Sequence, residues 1–187
     1  MGTSKNVASP DSPPWKFALA VLGRLDVTPD RQNREIWRSV EAERGPRLVD
    51  DFSDPTLAVA CRLANDAKDL HATLEAYDNH LSTDNKSGFA VEIARRALAR
   101  AVASKQGGQG FACELFAEAT AYYASRDLPS FVGSRGRIET PSAAIALKGS
   151  LKSVTRTIVR SAGPPVFDPD GWRGYVSKVV LGLRGSR

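Results

Sequence analysis

The 187-residue chain has few of the residues that carry chemistry: two cysteines, two histidines and one methionine. Cys61 and Cys113 both stand inside apolar helical patterns, where a thiol serves as a small hydrophobe rather than as half of a disulfide. Cys61 and His71 are ten residues apart on one helical pattern. That is roughly 15 Å by helical rise, too far for one metal ion. No third or fourth ligand stands beside them, so neither a metal nor another cofactor is expected. Long apolar runs are missing too. The segment 17–22 is far too short to cross a bilayer, and no membrane association is expected. The opening MGTSKNVASPDSPP has one lysine and no apolar stretch. It reads as a short disordered lead-in over 1–13 rather than as a signal peptide, and the expectation is a soluble cytoplasmic protein.

The catalytic signatures that can be written as short strings are also absent. There is no Gly-x-Ser-x-Gly, no P-loop and no dinucleotide fingerprint. Asp168-Pro169-Asp170-Gly171 resembles the opening of a calcium loop, but Val179 occupies the position where a bidentate acid is needed. A helix cap followed by a turn explains it better.

What the sequence has is helical punctuation. Ser12-Pro13, Thr28-Pro29, Asp54-Pro55, Thr140-Pro141 and Asp168-Pro169 each set a cap oxygen before a proline. The proline's missing N–H would be unpaired at that point anyway. Apolar residues at steps of three and four follow every one of them, and no period-two run or internal repeat occurs. The fold class expected is all-α, with about seven helices. Its centre is placed at 54–81, read as one helix with Ala60, Leu63, Ala67, Leu70, Leu74, Tyr77 and Leu81 along its buried stripe. Segments 88–106 and 111–126 follow after short connections, giving an antiparallel three-helix core over 54–127. In the single domain 14–187, residues 14–53 supply two peripheral helices (14–25 and 29–44) and a linker at 47–53. The basic C-terminal part, 128–187, adds helices at 141–162 and about 170–184.

Gly107-Gly108-Gln109 resembles the tripeptide that release factors present to the ribosomal peptidyl-transferase centre, where glutamine on a flexible backbone assists hydrolysis. Only those three residues match, and their place between two helices reads as a turn.

Charge is distributed unevenly. Residues 1–127 hold 16 Lys and Arg against 18 Asp and Glu, whereas 128–187 hold 10 against 3. Clustered cations mark anionic partners better than overall charge does. On the helix from Thr140 to Ala162, Leu151, Val154 and Ile158 fall within about 40° of Leu147 at 100° per residue. They are expected to face the core. Lys148, Lys152, Arg156 and Arg160 recur on every fourth residue and are expected to face solvent. Arg135 and Arg137, beside Gly133 and Gly136, add two guanidinium groups upstream. These six residues are the candidate site for phosphate or nucleic acid. The expectation is a non-enzymatic accessory or adaptor protein of a larger assembly. Its basic C-terminal face would contact nucleic acid or an acidic protein partner, and Trp37, whose default place is the core, is the second candidate anchor. The alternative is an enzyme holding a phosphorylated substrate at the Gly/Arg loop 133–137.

Overall fold

A computed structural model describes residues 27–84, 89–125 and 140–185. Among these residues there are eight helices and no strand. They are α1 (Pro29–Arg44), α2 (Arg47–Phe52), α3 (Pro55–Asp66), α4 (Leu70–Asp84), α5 (Phe89–Ala103), α6 (Gly107–Ser125), α7 (Pro141–Ser161) and α8 (Pro169–Arg184). The chain is all-α as expected, with seven helices of at least 12 residues and the short α2. The expected lead-in 1–13, the helix 14–25 and the loop 128–139 lie outside the described residues.

Four of the five proline-marked starts are described, and each caps a helix. The side chains of Thr28, Asp54, Thr140 and Asp168 accept hydrogen bonds from the backbone N–H groups of Arg31, Thr56, Ala143 and Gly171. Each satisfies one donor that the helix itself leaves unpaired.

The expected helix over 54–81 is two helices. Ala67 adopts extended backbone (φ −64°, ψ 127°), and α3 ends there. Asp69 then starts α4, its carboxylate accepting from Ala72 N–H at 2.8 Å. Apolar periodicity runs through this break without registering it, because Asn65, Asp66, Lys68 and Asp69 all sit on the polar side of the stripe. Of that stripe Ala60 and Tyr77 are fully buried, Leu63, Ala67, Leu74 and Leu81 are half-buried, and Leu70 at the start of α4 is exposed; α4 packs against α3 and α5.

The centre of the molecule is α6. Fourteen of its nineteen residues are buried, from Gly108 to Ala124, on every side of the helix. A helix covered all round has no amphipathic signature to read. Helix α5 runs antiparallel to it, Phe89 meeting Tyr122 and Tyr123 at one end and Arg100 meeting Glu114 at the other. With α3 these two form the three-helix core. Helix α7 packs along α6 from the opposite side, again antiparallel, and α1 and α8 close the remaining faces.

Helix α1 is not peripheral. Ile36, Trp37 and Val40 are buried, and Trp37 is 0% exposed. Its ring sits 5.9 Å from Phe52, 6.0 Å from Phe116 and 5.7 Å from Tyr123. Trp37 is therefore a core residue and not a partner anchor. The expected linker 47–53 is the helix α2, pinned by buried Leu48 and Phe52, and the Phe52 carbonyl accepts from Trp172 Nε1–H at 2.9 Å. A narrow apolar face signals a peripheral helix only when its residues are small; one indole fills the space of several aliphatic side chains.

Cys61 and Cys113 are free and buried, as expected. Burial pushes the Cys61 thiol up to about 12. Its Sγ lies against the Gly108 carbonyl at 3.4 Å.

Candidate interaction site on α7

The orientation of α7 decides which of its cations are available. With Leu147 at zero and about 100° per residue, the face expected to be buried is centred near 10°. The residues that are buried, Ala144, Leu151, Thr155 and Val159, centre near 75° on the same repeat. The helix is thus rolled by about 65° toward its own cations relative to the apolar reading. Leu147, Val154 and Ile158 are left half-buried.

A polar contact accounts for the roll. Thr155 is 0% exposed, and its hydroxyl meets Asn33 Oδ1 at 3.0 Å, Thr120 Oγ1 at 3.0 Å and the Leu151 carbonyl at 2.9 Å. Thr120 in turn accepts from Trp37 Nε1–H at 3.0 Å. These groups tie α1, α6 and α7 together through the interior. Buried polar atoms are costly unless paired, so a threonine that completes such a cluster turns inward at the expense of an aliphatic neighbour. Apolar periodicity gives threonine no vote, and the cluster is invisible to it.

The roll carries two of the expected outward cations onto α6. Arg156 makes two hydrogen bonds with Glu114, Nε to Oε1 at 2.7 Å and Nη2 to Oε2 at 3.0 Å. Lys152 Nζ meets Glu118 Oε1 at 2.5 Å. Arg100 of α5 pairs with Glu118 and lies 3.7 Å from Glu114. Burial works to raise the Glu114 carboxyl, but the Arg156 hydrogen bonds and the charges of Arg156, Arg100 and Lys152 hold it below the ordinary glutamate range. Lys152 is pushed below the ordinary lysine range, first by burial and then by the guanidinium groups of Arg100 and Arg156.

The expectation that this row faces solvent is corrected at Lys152 and Arg156. Lys148 is half-buried and Arg160 exposed, and neither has an acidic partner among the described residues. Arg135 and Arg137, with the whole loop 133–137 of the phosphorylated-substrate alternative, lie outside the described residues. Of the six candidate residues, four share one edge of α7, two of them engaged by α6.

The same pairing extends along the C-terminal part. Arg173 bonds Asp50 at 2.6 Å, and Arg184 pairs with Glu41. Lys178 donates to the Ala162 carbonyl at 2.6 Å, where α7 ends. Much of the charge asymmetry between the two parts of the sequence is therefore consumed inside the fold.

One residue that charge patterning overlooks stands at the N-terminal end of the edge. Ile145 falls at about 160° on the repeat used above, the direction of Lys152 and Arg156, one turn before Lys148. It is 66% exposed, the most exposed large apolar side chain described. Gly107 and Gly108 do not present Gln109 on a loop. They begin α6, and a Cβ on Gly108 would come within 2.9 Å of Phe167 and 3.1 Å of the Cys61 carbonyl. Among the described residues, no group of three or more His, Cys, Asp and Glu could hold a metal ion, and no helix is long and apolar enough to cross a membrane.

The chain matches no protein-family model, no curated protein and no solved structure.

Proposed function

We propose that the protein is a non-enzymatic helical accessory protein, an adaptor that engages an acidic protein partner through the outer edge of α7. The observation that carries this reading is Ile145, exposed one turn before Lys148 on the edge that carries Lys148, Lys152, Arg156 and Arg160. An aliphatic side chain beside cations suits a partner that offers both an apolar contact and carboxylates. A phosphate backbone supplies no apolar contact. Arg156 and Lys152 are already held in place by those glutamates, so docking costs them little further side-chain entropy. Lys148 and Arg160 supply the charge that the fold leaves over.

The test is photo-crosslinking from position 145 in the native host, in the parent and in a Lys148→Glu/Arg160→Glu variant. A partner with an acidic surface that crosslinks in the parent and is lost in the variant supports the reading. If no partner is captured, and an oligonucleotide binds with a steep salt dependence that the variant abolishes, the surface belongs to nucleic acid instead.

A further inference from the structure

The roll of α7 has a second consequence on its opposite side. Leu147, Val154 and Ile158 remain half-buried there, and Ile158 lines a groove between α7 and α8 of about 460 Å³. Its floor is Ile158, Ala162, Gly182 and Leu181, and Leu181 is 49% exposed. Gly182 brings the two helices close, since a Cβ there would meet Ile158 Cγ2 at 3.1 Å. Two cations, Arg34 and Lys178, stand at the rim, and among the described residues no acidic one lines the groove. Lys178 bonds a carbonyl and no acid among the described residues, and the Arg34–Asp30 pair is exposed on both sides and easily exchanged.

We propose that this groove is a docking site for an acidic amphipathic helix of a partner protein. It is separate from the edge described above, and it gives an adaptor its second surface. The wall from Lys178 to Gly185 is about 10 Å long by helical rise, two turns of a docked helix. A helix fits because every wall of the groove is itself helical, and a bound strand would find no backbone groups to pair with. Carboxylates flanking its apolar stripe would meet Lys178 and Arg34. The groove is open and has no convergent set of polar groups, which is unlike a small-molecule pocket.

The probe is a fluorescein-labelled helical peptide of about five turns, with a leucine stripe flanked by glutamates, titrated by fluorescence anisotropy. A second peptide carries lysines in place of the glutamates. The expected result is binding of the acidic peptide, weakened about tenfold or more by Leu181→Lys. That substitution removes an exposed apolar contact while keeping the site cationic. Lys148→Glu/Arg160→Glu should leave this binding unchanged. No binding of the acidic peptide at millimolar concentration overturns the proposal, as does equal binding of the lysine-flanked peptide. Binding lost in Lys148→Glu/Arg160→Glu but kept in Leu181→Lys would put the peptide on the cationic edge, which sinks this proposal and leaves the first standing. A dimer of the chain that Leu181→Lys dissolves would make a second copy the occupant, and would overturn it also.

Discussion

Replacing Thr155 by valine tests the cause of the roll of α7. The two side chains have nearly the same shape, so the substitution leaves no cavity and changes only the hydroxyl. That hydroxyl contacts Asn33, Thr120 and the Leu151 carbonyl in a site with no solvent exposure. Thr120 keeps its bonds to Trp37 and the Phe116 carbonyl, but Asn33 loses the partner of its Oδ1, and its Nδ2 has none among the described contacts. Stranding a buried polar group costs about 1–3 kcal/mol. For a chain of this size each 1 kcal/mol moves Tm by about 2–4 °C, so Thr155→Val should lower it by roughly 2–12 °C. Thr155→Ser is the control. It keeps the hydroxyl and loses one methyl, worth about 0.8 kcal/mol by transfer. Circular dichroism melts and urea titrations of the three proteins would measure both. The expected order is threonine, then serine, then valine. If valine matches or exceeds the parent, the interior hydroxyl does not hold α7 in its roll, and apolar shape alone must do so.

Other expectations concern the ion pairs and the tight approach of α6 to α3. Glu114 sits below its ordinary range in the folded protein, so on acidification the unfolded chain takes up the proton first. Its contribution is fully present above the unfolded value of roughly 4.3 and is lost as pH falls through the lower folded value; urea titrations across that range should show Glu114→Gln flattening the acid limb. Glu118→Gln should destabilise by about 1–3 kcal/mol, because it leaves Arg100 and Lys152 without their shared acid. Lys152→Met should cost less than Glu118→Gln or raise Tm, since burial and two neighbouring guanidinium groups already disfavour that ammonium. A melt in which Lys152→Met is the more damaging of the two would show that the ladder depends on the lysine. Gly108→Ala should destabilise by about 1–3 kcal/mol, because the new methyl meets the Cys61 backbone and the Phe167 ring.

The helical class, the capped starts and the core of Ala60, Ala94, Ala97, Leu98, Leu115 and Phe116 were legible because periodicity and cap chemistry are local properties. The break at Ala67 was not, since its backbone departs from helix without any change in apolar spacing. Helix α6 was legible as a helix but not as the centre, because a segment buried on all sides shows no preferred face. Trp37 and Phe52 were underrated for a related reason. Counting apolar residues along a face weighs an indole as one position, although it bridges α1 to α2 and α6 at once.

The candidate site shows the same division more sharply. Spacing placed Lys148, Lys152, Arg156 and Arg160 on one edge correctly, because that follows from the helical repeat. It could not say where the edge points, because the roll is set by Thr155, Asn33 and Thr120, which lie on three helices far apart in sequence. Once rolled, the helix meets Glu114 and Glu118, two acids that stand on an otherwise apolar segment. Buried positions rarely hold unpaired carboxylates, so their presence in such a segment is itself a signal that cations must arrive from elsewhere. Read in that direction, an acid-free basic helix and a pair of acids at i and i+4 on a buried helix predict each other. On the proposed reading the cations that matter for recognition are the two with no acidic partner among the described residues, Lys148 and Arg160, together with Ile145, exposed one turn before Lys148.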